Sequence, residues 1–188
     1  MEISYRDLIT VLHGMGFGTL FMLAFSGAIG VIYATSVVGT GAMLSRWDAG
    51  MFRVYLISMA VLAWLTVLSG AYVIYPWYRA APPIGTTDLT GYPRSLLLSS
   101  PQTAGWHDLG MEWKEHIAWF TPIAMTMVAY VFIKYGPQLS LHRHLRAAVL
   151  SFTAVAFFAT AVAGGVGAFL NKNAPVRGGG QIILFEHK

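Results

Sequence analysis

Apolar residues along the chain collect into four long runs, at about 8–34, 54–77, 113–135 and 145–170, separated by polar and turn-forming stretches. A helix needs roughly 20 apolar residues to cross a hydrocarbon core, and each run meets that length. The pattern predicts an all-α integral membrane protein: four transmembrane helices in a bundle, one domain over 1–188, with a loop at 80–112 and a tail at 171–188. Four crossings return the chain to the face it started from. Side A denotes the face that carries both termini and the long loop; side B is the opposite face.

Residues between and within the runs refine this picture. Run two ends in Tyr72-Val-Ile-Tyr75-Pro76-Trp77-Tyr78-Arg79, an interfacial cluster, and Pro76 with Pro82-Pro83 is expected to stop the helix. The first half of the long loop carries Pro82, Pro83, Gly85, Gly91 and Pro93 and reads as irregular. In its second half, Ser100-Pro101 looks like an N-cap with proline at the first helical position. Trp106, Leu109, Trp113 and Ile117 then recur at helical spacing, which predicts an interfacial helix leading into run three, bent at Gly110. Pro122 should bend run three itself. Gly14 with Gly18, and Gly164, Gly165 and Gly167, suggest close helix packing. The 35–50 connection is rich in small residues (Gly39, Gly41, Ala42), with Trp47 as an interfacial anchor. The tail joins Gly178–Gly180 to the apolar, β-prone Gln181-Ile-Ile-Leu-Phe. Two destinations fit it: strand addition to a partner subunit, which is preferred, or a return onto the chain's own side-A loop.

Composition sharpens the class. Hydrophobic residues make up 56% of the chain and charged ones 11%, against roughly a quarter charged in soluble domains. The N-terminus does not read as a cleaved signal, because Glu2 and Asp7 cancel its positive charge and the following run is too long. The lack of cysteine removes disulfides, iron–sulfur clusters and haem attached through Cys-x-x-Cys-His within this sequence. The net charge of +4 forms no basic stripe and carries no nucleic-acid reading. Side B receives five basic residues and one acidic residue, side A seven of each. Density of Lys and Arg per loop residue places side B in the cytoplasm, with both termini on the non-cytoplasmic side of a bacterial inner membrane.

Candidate chemistry centres on two histidines just inside runs one and three, His13 and His116, at matching depth from side A. An ionisable residue inside a span usually faces the bundle interior and is a functional candidate by default. Two imidazoles on different helices are what a non-covalent haem b requires, so His13 and His116 are the expected iron ligands, with His107 in reserve. Gly16, one turn beyond His13, is expected to leave room for the macrocycle, which Phe17, Trp119 and Phe120 would enclose. The plainer reading is that these histidines hydrogen-bond at headgroup level. A di-iron site lacks facing carboxylates on the other helices. Zinc at His107, Glu112 and His116 lacks a recognised spacing. Glu112, Glu115, His107 and Tyr75 form a polar group suited to proton exchange with a quinone at the side-A interface. His142, Arg143 and His144 read as a solvated basic turn on side B.

The four-span, histidine-poor pattern broadly resembles small membrane-anchor cytochrome b subunits, a likeness of helix number that carries no ligand across. The expectation is a lipid-embedded subunit of a respiratory or photosynthetic electron-transfer complex, working with other subunits and a periplasmic electron carrier. A cofactor-free accessory subunit is the alternative. A small transporter is weaker, because no run carries an acidic residue at mid-depth.

Overall fold

A computed structural model describes residues 2–37 and 46–183. The apolar runs form four helical rods, Tyr5–Tyr33, Ala49–Tyr78, Pro101–Tyr135 and Arg143–Asn173, here spans 1 to 4. Each is long and apolar enough to cross a bilayer. The 35 residues of span 3 extend about 50 Å at helical rise, well beyond a hydrocarbon core of about 30 Å, so its first turns project from side A. These are the residues expected as an interfacial helix, and they are continuous with the span. The Ser100 hydroxyl accepts the Gln102 amide at 3.3 Å, as its N-cap position requires.

Three local expectations change. Span 1 begins at Tyr5, because the Ser4 hydroxyl accepts the Asp7 amide at 3.1 Å and caps the helix there. Span 2 does not stop at Pro76 but runs through it to Tyr78. Immediately upstream, Gly70–Ile74 is wound as a π-helix, with the Tyr75 amide reaching back five residues to the Gly70 carbonyl. The wider turn changes the ladder into which proline enters. The loop's first half is not wholly irregular: Pro93–Leu98 is a short helix with Pro93 at its first position and Leu97 buried. Ahead of it, Asp88 accepts the Thr90 hydroxyl at 2.7 Å and its amide at 3.0 Å. These bonds hold the Asp88 carboxyl below its ordinary range.

In span 3, regular helix is interrupted at Ala118 and Trp119 and resumes at Phe120. Pro122 cannot donate to the Ala118 carbonyl; the Thr121 amide takes that acceptor instead, at 3.2 Å. At Gly110 the chain is π-wound, and a Cβ there would lie 2.6 Å from Val166 Cγ1. Gly110 therefore lets spans 3 and 4 approach closely.

Each span packs on its neighbours in sequence, and span 1 also packs on span 4, so spans 1 and 3 lie across a diagonal. The densest core sits toward side B and joins all four rods through Phe21, Ile32, Leu56, Met59, Met125, Val128, Phe132 and Val149. Outward-facing Leu23, Val54, Ile123 and Phe158 are largely exposed, as lipid-facing residues should be.

The tail corrects its preferred destination. Gln181–Ile183 forms an antiparallel pair with Glu2–Ser4, in the register Glu2↔Ile183, Ile3↔Ile182, Ser4↔Gln181. Gly178, Gly179 and Gly180 all have positive φ, which makes the turn into that strand. The Gly180 carbonyl accepts the Tyr5 amide at 2.9 Å and the Gly178 carbonyl accepts the Arg6 amide at 3.2 Å. Strand addition is thus satisfied within the chain, and it covers donors left open at the start of span 1. Trp47, Gly39, Gly41, Ala42 and residues 184–188 lie outside what the structure describes at side-chain level.

Candidate functional site in the side-A half of the bundle

Four segments depart from α-helical winding into π-helix: Leu12–Thr19, Gly70–Ile74, Trp106–Met111 and Trp113–Ile117. All four lie in the side-A half. The ends they occupy are brought together by Tyr5 and Arg6 against Trp77, and by Trp106 stacked on Phe169 at 4.6 Å. π-Winding is rare and is often found at functional sites, because the extra residue per turn re-aims side chains.

The rotation is visible in span 1. At α-helical winding Gly14 and Gly18 would share a face, but only Gly18 abuts span 2, at Thr66, while Gly14 faces open space. His13 shares the Gly18 side and packs against Gly70, where a Cβ would lie 2.8 Å from His13 Cε1. The absence of a side chain at Gly70 is what seats the imidazole between spans 1 and 2. His13 Nδ1 is 2.9 Å from the Ser69 hydroxyl, which itself donates to the Thr66 carbonyl at 3.1 Å. With the Ser69 hydroxyl donating to Thr66, the complementary arrangement has His13 Nδ1–H donating to Ser69, which leaves Nε2 its lone pair. Ligating histidines are commonly held by such an outer-shell partner.

His116 reaches the same tautomer differently. Its Nδ1 donates to the Glu112 carbonyl at 3.0 Å, with the Glu112 carboxylate 3.4 Å away, which again leaves Nε2 free. Its side chain is 69% exposed, however. Lys114, two residues earlier, occupies the opposite face of span 3 and sends its ammonium inward. A Cβ on Gly167 of span 4 would lie 3.1 Å from Lys114 Nζ, and the ammonium is close enough to His13 for a direct Coulomb interaction. The geometry therefore pairs His13 with Lys114 in the interior and turns His116 outward. Residues two apart on a helical turn lie on roughly opposite faces, so the two cannot both face inward.

Gly16 does not present an open slot, because Leu12 Cδ1 lies 2.9 Å from where its Cβ would be. Phe120 points outward at 57% exposure, and Trp119 packs edge-on against Trp64 of span 2. His107 has both ring nitrogens engaged: Nδ1 with the Tyr78 hydroxyl at 2.7 Å, and Nε2 accepting from Arg94 Nε at 3.4 Å. That occupies the reserve ligand. Among the described residues no group of three or more metal-ligating side chains converges, which leaves zinc at His107, Glu112 and His116 without geometry.

The polar group expected at the interface does assemble in part. Tyr75 donates to Glu115 Oε1 at 2.6 Å and accepts from Arg79 Nη1 at 3.0 Å. Tyr75 stacks on Tyr78, which carries the contact to His107. Two chains, Arg79–Tyr75–Glu115 and Tyr78–His107–Arg94, thus run side by side at the membrane surface. Glu112 stays apart, on His116. The side-B histidines line an open depression with Tyr135, Leu141, Arg143 and Leu145.

Sequence reasoning missed Ser69, Gly70, Tyr78, Arg94 and Lys114. A signal existed for three of them: Ser69-Gly70 interrupts an apolar run, and Lys114 is a charge inside span 3. The fold and site define a four-span integral membrane protein whose chemistry-bearing residues gather in one leaflet. No protein-family model, curated protein or solved structure matches the chain.

Proposed function

We propose that the chain is the membrane subunit of an electron-transfer complex, holding a non-covalent haem b through His13 on the side-A half of the bundle. The observation that carries this reading is the line of contacts from His13 Nδ1 to the Ser69 hydroxyl and on to the Thr66 carbonyl; with Nδ1 as the donor, Nε2 has its lone pair available. When bound, haem supplies one-electron chemistry; this chain's residues orient the imidazole and exclude water. A clamp closed by His116 requires span 3 to turn until His116 replaces Lys114, so His13 is the ligand assigned first. The Tyr75–Glu115 and Tyr78–His107 contacts suit a quinone headgroup or proton exchange beside it. Side B is assigned to the cytoplasm of a bacterial inner membrane, which gives the site a periplasmic partner.

A reduced-minus-oxidised spectrum of the purified protein tests this. A sharp α-band in the wild-type chain, lost in His13→Ala and retained in His116→Ala, is the expected result. Loss in both variants restores the two-histidine clamp. A featureless wild-type spectrum favours the second reading, a cofactor-free accessory subunit, which the outward turn of His116 supports. Cysteines placed singly at positions 88 and 142 test orientation: an impermeant thiol probe on intact cells should label only the first.

A further inference from the structure

We propose that Lys114 anchors a binding site for an oxyanion carried by a membrane-embedded ligand. Its side chain is half-buried and reaches toward span 4, with Nζ 3.1 Å from where a Cβ on Gly167 would lie. Among the described residues it makes no hydrogen bond or ion pair. Glu115, the adjacent carboxylate, is turned to Tyr75, and Glu112 to His116. An ammonium in a span without a counter-charge is strongly unfavourable, and intramembrane lysines characteristically pair or mark a ligand path.

Two further groups bear on it. Trp113, the preceding residue, has its Nε1 buried with no acceptor among the described residues, and His13 lies within Coulomb range of the ammonium. A cation and an N–H donor in an apolar wall call for an acceptor oxygen bearing negative charge. The ligand must also reach this depth from the bilayer. Two sources share that chemistry: the phosphate of a lipid headgroup drawn below the interface, and the carboxylate of a prosthetic group such as haem. The first does not depend on the haem reading.

The test uses the full chain purified from membranes in mild detergent. Bound ligand is counted by native mass spectrometry, organic phosphorus and extractable haem. Wild-type and Lys114→Arg proteins should retain the ligand, and Lys114→Met should lose at least about tenfold in occupancy, as for one partner removed from a buried charged contact. Lys172→Met, at an exposed position, should change nothing. Loss of phosphorus alone identifies a lipid phosphate; loss of haem with phosphorus unchanged identifies a carboxylate. Gly167→Ala keeps the lysine but crowds Nζ and should also lower occupancy, so it decides the matter if Lys114→Met does not fold. Unchanged ligand in the folded variants, or a wild-type chain that carries neither ligand, overturns the anion site. A wild-type chain with phosphate but no haem leaves it standing while removing the haem reading.

Discussion

The two halves of the bundle use the same four rods in different ways. Toward side B they are regular α-helices around a core of large apolar side chains, with Phe52 edge-on to Phe132 at 4.8 Å and Val128 and Val149 fully enclosed. Toward side A three of the four rods are π-wound while span 4 stays α-helical to Asn173, and polar side chains share the space with a smaller apolar cluster around Leu97, Met111 and Leu170. In lipid, apolar burial gives little net drive for helices to associate, so shape fit and hydrogen bonds hold them together. The side-B half relies on the first, and the side-A half adds the second to close fits such as Gly110 against Val166. Regular winding repeats a packing face; π-winding gives up that repeat to aim particular groups, such as His13 toward Ser69.

Four substitutions probe the contrast, in descending order of effect. Gly110→Leu should separate spans 3 and 4 at the side-A end, since even a Cβ there meets Val166 at 2.6 Å. A loss of about 3 kcal/mol, or failure to insert, is expected from overpacking; Gly30→Leu, at an open position, is the control, and equal unfolding midpoints in detergent would count against the close contact.

Phe132→Ala removes a buried ring from the side-B core and should cost about 2 kcal/mol, chiefly through the cavity left behind. The distinguishing outcome is that unfolding shifts while the environment of the His13 ring, followed by NMR, stays the same. Gly70→Ala should do the reverse. Its methyl displaces His13 Cε1 and breaks the Ser69 contact, for a stability loss of about 1 kcal/mol with a large shift in the His13 ring signals.

The smallest effect lies in the loop. Thr90 holds Asp88 as the carboxylate, and the lowered pKa means that this contact is fully present above the ordinary carboxylate range. It is lost as pH falls through the lowered value. Loss of Thr90 amide protection on acidification, measured relative to its intrinsic exchange rate and abolished in Asp88→Asn, is the expected signature, with no change in the spans.

Legibility followed the same division. Ser100-Pro101 announced a helix start, and the four apolar runs announced four spans, because length and polarity are local properties. Pro76 misled, since its effect depends on the winding of the turn before it. The choice between His116 and Lys114 was equally hidden: residues two apart point to opposite faces, and nothing local says which face is interior. The tail's β-prone segment was visible, but its partner, Glu2–Ser4, stands at the other end of the sequence.

Hydrophobic run length and turn residues by themselves determined the membrane class, the number of spans and the sharing of one face by both termini, because a bilayer imposes that periodicity on any chain that crosses it. Only the tertiary structure decided that His13 sits on Gly70 and Ser69, that Lys114 turns inward, and that the tail closes on the N-terminus. Each of those outcomes depends on contacts between segments far apart in sequence, and on π-turns that packing against neighbouring rods stabilises.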